Sequence, residues 1–219
     1  MVYTLKKHLR AASCNEDIVI LDLQTDRFHI LNDVSAERMN SAMNAEDPAL
    51  AEALHEAGLI EHSDTTMSVT PRRTNGFFEQ RWMTPIVNAT CSWKDKLLAG
   101  SEVVRTNRKL KRATMDEILF EIRRTPPVQV STPQSEGSRR LASLMAALNV
   151  AFGFDRTGNQ CLAYSYSLAR MARKLGIPAS LVIGVRTKPF LSHAWVECGN
   201  EVVNDDPLLR EKLSVIAES

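Results

Sequence analysis

Three residues in this chain, Cys161, His193 and Asp205, are of the types that together cut or exchange an acyl group. Asn159-Gln160 precedes Cys161, and a helical pattern runs on to Leu175, where Gly176 stops it and Pro178 follows. A thiol at a helix N-terminus is favoured as the thiolate, because free backbone N–H groups and the helix dipole stabilise the anion. His193 lies 32 residues further on, in Ser192-His193-Ala194-Trp195-Val196-Glu197, which alternates as a strand. Asp205 lies 12 residues beyond His193, at the end of the returning strand. Gly199-Asn200 turns the chain six residues after His193 and five before Asp205, so the two stand nearly opposite across a hairpin. An imidazole so placed takes the thiol proton and returns it to a leaving amine. The carboxylate fixes its tautomer and orientation.

Each residue alone has an ordinary explanation. A thiol is commonly a small core residue, a histidine beside Trp195 can be structural, and Asn204-Asp205-Asp206-Pro207 is turn-forming. The conjunction in this order is what points to nucleophilic catalysis. Cys14, Cys91 and Cys198 lack such a context and read as structural. No CxxC pair occurs, which argues against a disulfide framework and a structural zinc site. A zinc centre from Cys161, Cys198 and His193 would have no close ligand pair.

The elements that must position these residues can be read around them. Ala179 to Val185 reads as a strand between the helix and the His193 strand, and Glu201 to Asp205 as the returning one. Helix followed by three strands predicts an α+β core with an antiparallel sheet. Upstream, residues 93–106, 114–123 and 138–150 have helical composition, with Leu141, Leu144, Met145 and Leu148 at core spacing. The first part differs. Ile18 to Leu23 reads as a buried strand, Thr25-Asp26 as a turn and Arg27 to Leu31 as the return. Tyr3 to Leu9 and Met67 to Thr70 alternate loosely and predict further strands. Ser35 caps a short helix ending near Met43, and Asp47-Pro48 opens a second that Gly58 ends, with Leu50, Leu54 and Ala57 on one face. Residues 71–80 read as a linker between this module of about 70 residues, marginal for folding alone, and a second unit.

Composition narrows the function classes. The 219 residues are 44% hydrophobic and 24% charged, which describes a globular chain with a real core. Residues 1–80 carry 7 Lys/Arg against 13 Asp/Glu, residues 81–124 carry 10 against 5, and the rest 10 against 8. An acidic first third argues against nucleic-acid binding there. The cluster Arg105, Arg108, Lys109, Lys111, Arg112 reads as a solvated helix end. No apolar run approaches the ~18 residues of a membrane span. No apolar stretch follows the charges of Met1 to His8, so a cytoplasmic protein is expected, with no membrane partner.

Beyond this skeleton the motifs become specific. Cys161-Leu162-Ala163-Tyr164-Ser165-Tyr166-Ser167-Leu168, Leu175-Gly176-Ile177-Pro178-Ala179, Leu181-Val182-Ile183-Gly184-Val185, Pro189-Phe190, His193-Ala194-Trp195-Val196-Glu197 and Lys212 to Glu218 resemble the leader peptidases of lasso-peptide biosynthesis. These are the B proteins of the transglutaminase-like cysteine protease superfamily. Asp22 to Asn32 is similar to the hairpin of a precursor-peptide recognition element, although only two of that module's usual three helices fit between residues 34 and 60. The resemblance implies a winged-helix-like recognition module over 1–75 and a transglutaminase/papain-like peptidase domain over 76–219. It implies Cys161 as nucleophile, His193 as general base and acid, and Asp205, rather than its neighbour Asp206, as the orienting carboxylate. Gln160 or the Cys161 backbone N–H would stabilise the oxyanion. The leader would lie along Arg27, Phe28, His29, Ile30 and Leu31, against a helix presenting Leu50 and Leu54. The implied partners are a precursor peptide, through its leader region, and a lasso cyclase. No metal or other cofactor is implied; the chain has no GxxxxGK[ST] run, so ATP use would fall to the cyclase. Two other readings remain open: an acyl transferase of the transglutaminase or arylamine acetyltransferase kind, and a non-catalytic peptide-binding protein.

Overall fold

A computed structural model describes residues 2–65, 67–76, 84–125, 134–153 and 160–219. In chain order the elements are β1 (Val2–Leu5), β2 (Leu9–Cys14), β3 (Asp17–Asp22), β4 (Arg27–Leu31), α1 (Ala36–Met43), α2 (Pro48–Glu56) and β5 (Ile60–Ser63). There follow α3 (Trp93–Leu110), α4 (Met115–Arg124), α5 (Gln134–Phe152), α6 (Gln160–Lys174), β6 (Ala179–Arg186), β7 (Leu191–Cys198), β8 (Glu201–Val202), α7 (Leu209–Lys212) and β9 (Ser214–Glu218). The sheets are β1-β5, β2-β3-β4 and β8-β7-β6-β9. The chain is thus mixed α and β with antiparallel pairing. Among the described residues no helix is long and apolar enough to cross a membrane.

Two compact units emerge. One gathers the described residues up to 76 with Gly184–Ser192 and Arg210–Ala217; the other holds the described residues from 84 to 183 with His193–Leu209 and Glu218–Ser219. Two C-terminal segments bond within the first unit. Cys14 Sγ donates to the Val185 carbonyl at 3.6 Å, Thr187 Oγ1 to the Cys14 carbonyl at 3.5 Å, and Ser214 Oγ to the Ser13 carbonyl at 2.5 Å.

In the first unit, β3 is the central strand, and Ile18, Val19, Ile20 and Leu21 are wholly buried, as an unbroken apolar run requires. Ser35 and Asp47 accept from the backbone N–H groups of Arg38 and Leu50 and so cap α1 and α2. Gly58, at φ +70°, turns the chain from α2 into β5. The core joins Leu5, Ile18, Ile20, Met39, Met43, Leu54 and Ile60. The unit is mostly strands, with two helices.

Two strand expectations change. The run from Tyr3 to Leu9 is not one strand: it breaks at Lys6–His8, so β1 pairs with β5 and β2 with β3. Met67–Thr70 forms no strand. Asn40 takes both backbone groups of Val69 instead, accepting its N–H at 2.7 Å and donating to its carbonyl at 3.0 Å. The strand lies earlier, at Ile60–Ser63, and had no alternation long enough to announce it.

In the second unit α3 and α5 pack against α6 and each other, and α4 packs against α6. Capping boxes at Ser92/Asp95 and Thr114/Glu117 open α3 and α4. Eight consecutive residues of α6, Ala163 to Arg170, are buried, so this helix is enclosed on all faces.

Candidate active site

The three candidate residues reach their positions through separate local rules. Cys161 occupies the first turn of α6, where backbone N–H groups have no acceptor within the helix. The far end of α6 is fixed by a Schellman motif: Gly176 N–H donates to the Arg173 carbonyl and Ile177 N–H to the Ala172 carbonyl, with Gly176 at φ +82°. His193 sits on β7, which is buried from His193 to Glu197. Gly199 and Asn200 both have positive φ, +61° and +68°, the signature of a type I′ turn. That turn sets Cys198 opposite Glu201 and Glu197 opposite Val202.

Continued, this register would bring Asp206 opposite His193. The ladder ends at Val202 instead, and Asp205 Oδ2 lies 2.9 Å from His193 Nε2. Asp206 turns to the chain ahead, accepting from the Leu208 N–H at 2.8 Å. Cys161 hydrogen-bonds the same imidazole, and its sulfur also accepts from the Ala194 and Leu162 backbone N–H groups. The structure therefore brings Cys161, His193 and Asp205 into one line.

The charges follow from these contacts. Burial pushes His193 towards the neutral form, but the Asp205 hydrogen bond and the Cys161 sulfur together outweigh it and raise the imidazole to about 9. Burial likewise pushes the Cys161 thiol up, and is outweighed by His193 and the two backbone donors, which bring it below the ordinary thiol range. Each member of the pair favours the charged form of the other. The other thiols differ. All four cysteines are free, and burial alone pushes Cys198 up to about 11. Cys14 is wholly buried and also raised, chiefly by burial. Neither is poised to react.

Trp195 shares the β7 face with His193, its ring stacked 6.3 Å away, and donates its indole N–H to Glu197 at 2.7 Å. Gln160 is the first residue of α6, half-buried beside Cys161. No site role was legible in the sequence for Ser165, Asn204 and Glu197, buried polar residues on α6, after β8 and on β7. The available signal was a polar type on a face whose neighbours are all buried.

The second group of expected site residues lies in the first unit. Arg27–Leu31 form β4, the edge strand of its sheet, with Arg27, His29 and Ile30 exposed and Phe28 and Leu31 half-buried. The Phe28 ring lies 5.3 Å from that of Phe190. Leu54 is in the core and Leu50 packs against it, on a helix that contacts α1 and β5.

Residues 103–218 match the transglutaminase-like superfamily. The chain is 32% identical to the microcin J25-processing protein McjB of Escherichia coli, over 94% of this chain and 96% of that protein. No solved structure gives a significant match. With a Cys–His–Asp line already in place on a helix N-terminus and an antiparallel hairpin, these matches place the chain in the transglutaminase-like superfamily and, within it, among the B proteins of lasso-peptide biosynthesis.

Proposed function

We propose that this protein is a cysteine peptidase that removes the leader from a ribosomally made lasso-peptide precursor. The observation that carries the reading is the hydrogen-bonded contact of Cys161 with His193, backed by Asp205 at 2.9 Å. In this reading the Cys161 thiolate attacks the scissile carbonyl carbon. The resulting oxyanion is stabilised by first-turn N–H groups of α6, with Gln160 as the candidate side-chain donor. His193 gives its proton to the departing nitrogen, the C–N bond breaks, and a thioester to the leader remains. Neutral His193 then takes a proton from water, whose oxygen displaces the thiolate and frees the leader's carboxylate. The core peptide leaves with a free α-amine, the nucleophile that a partner cyclase needs for macrolactam formation. No step calls on a metal or other cofactor of this chain.

The recognition role is assigned to the first 75 residues as a winged-helix-like module, and peptidase chemistry to residues 76–219. The exposed edge of β4 supports this, since an extended leader can add a strand there. Leu54 lies in the core and the half-buried Leu50 packs against it, so β4 carries the exposed part of that surface in this reading. The reading places the protein in the cytoplasm, where precursor and cyclase are made.

Mass spectrometry of the cognate precursor, incubated with the protein with and without cyclase, tests this. The expected result is an intact leader fragment with wild type and none with Cys161→Ala. An uncut precursor in every sample, or cleavage that survives Cys161→Ala, would overturn it.

A further inference from the structure

Three polar contacts join the elements that carry the three site residues, and each lies next to one of them. Ser165 is one helical turn beyond Cys161 on α6. Its hydroxyl donates to the carbonyl of Ala194, the residue after His193, at 3.0 Å. It accepts from Nδ2 of Asn204, the residue before Asp205, also at 3.0 Å. Asn204 Oδ1 accepts the Val196 N–H on β7 at 2.7 Å. Ser165 is 0% and Asn204 1% exposed.

The polarity of this chain has one solution. The Val196 N–H can only donate, so the atom facing it is the amide oxygen and the amide nitrogen faces Ser165. The hydroxyl then has one hydrogen left, and the Ala194 carbonyl is its acceptor. The contact also explains why the hairpin ladder stops. In the register that pairs Glu197 with Val202, Val196 and Val203 should exchange two backbone bonds. The first is present, from Val203 N–H to the Val196 carbonyl at 3.0 Å. The second is replaced: the Asn204 side-chain oxygen stands where the Val203 carbonyl would be. The backbone can therefore leave the sheet after Val203 without orphaning a buried N–H.

The geometry points to Ser165 and Asn204 as positioning residues, a buried hydroxyl–amide brace that fixes the Cys161 helix against the His193 strand and turns Asp205, instead of Asp206, onto the imidazole. The brace touches no reacting atom. It acts by holding three side chains from three elements to within a fraction of an ångström, which the contact between Cys161 and His193 requires. The inference rests on the reading of Cys161 as nucleophile, and its test avoids turnover so that the two fail separately.

That test is the pH dependence of Cys161 alkylation by iodoacetamide, read by mass spectrometry on the Cys161 peptide, with the folded state of each variant checked by circular dichroism. Wild type should react well below the ordinary thiol range. Ser165→Ala should slow the reaction near about pH 6.5 by roughly 10-fold and move its midpoint towards that of a free thiol. Ser165→Thr keeps the hydroxyl and should restore the wild-type profile. Asn204→Ala should behave as Ser165→Ala and carries the test if that variant does not fold. The control is Ser167→Ala on the same helix, which breaks an equally buried hydroxyl contact, 2.8 Å to Thr106. It should lower thermal stability and leave the profile in place. Coincident profiles for Ser165→Ala or Asn204→Ala and wild type, or an equal shift in Ser167→Ala, would overturn the inference. Precursor cleavage is not needed for any of these outcomes.

Discussion

Replacing Asp205 by asparagine keeps the shape of the side chain and removes its charge, which isolates what that charge does for His193. The imidazole stands at about 9, against an ordinary value of 6.5. At about 1.4 kcal/mol per pH unit, that gap is roughly 3 kcal/mol in favour of imidazolium. Burial opposes the charge, so the attraction from Asp205 and the Cys161 sulfur exceeds the net figure. Asp205 is the largest of the groups that oppose burial, so its loss lowers the imidazole's pKa, by on the order of one pH unit. The sign is fixed: a raised pKa keeps the proton on His193 at neutral pH, and that proton is lost as pH rises through about 9. The acid limb belongs to the depressed Cys161 thiol, and both limbs are properties of the coupled pair. The expected kcat/KM profile for leader cleavage is a bell. In Asp205→Asn its alkaline limb falls by about one unit or more, and its plateau drops on the order of 100-fold through lost imidazole orientation. Iodoacetamide alkylation of Cys161 follows the same titration without a precursor. An alkaline limb unmoved in Asp205→Asn, or moved as far by Asp206→Asn, would overturn this account, since the carboxylate 2.9 Å from the imidazole is that of Asp205.

Further outcomes follow from other contacts. Glu102 and Arg170 form a buried pair, 9% and 3% exposed at the side chains, and Glu102→Ala leaves the guanidinium the more distant Glu121 carboxylate at 3.8 Å; urea unfolding should show a loss of about 3 kcal/mol. Asp17 is buried, yet Thr187, the Asp33 N–H and Lys188 together outweigh burial and hold its carboxyl below the ordinary 3.8. A depressed carboxyl stabilises the fold above that value and loses the contribution as pH falls below it. The urea midpoint of wild type should therefore exceed that of Asp17→Asn at neutral pH and approach it below about pH 4. Ile30 lies on the edge strand and is 37% exposed, so Ile30→Lys should weaken binding of a fluorescent leader peptide several-fold with an unchanged melting temperature. Equal binding by the variant would remove β4 from the recognition surface.

What could be read from the chain alone divides by the range of the interaction involved. Cys161 at a helix start, Gly176 at its end and the Gly199-Asn200 turn are local signals, and each was legible as such. Two residues of turn chemistry brought His193 and Asp205 close, because a two-residue hairpin loop leaves little choice of register. Asp205 over Asp206 was not legible from residues alone, since the ideal register favours Asp206; the resemblance favoured Asp205, and Asn204's side chain accounts for the departure. Val69 makes the same point in the first unit. Its neighbours alternate as a strand should, yet its two backbone groups go to Asn40, 29 residues away. Both surprises place an asparagine amide where a backbone amide was expected. The amide of asparagine presents an N–H donor and a carbonyl acceptor side by side, as the peptide group does, so it can stand in for a ladder partner and end a strand where hydrophobic pattern alone would extend it. Ser165 is the complement. It is buried on an enclosed helix, and the partners of its hydroxyl come from β7 and the segment after β8, 29 and 39 residues away. Alternation and helical spacing report which face is buried. They do not report which buried polar atoms must meet across elements, and in this protein those meetings surround the line from Cys161 to Asp205.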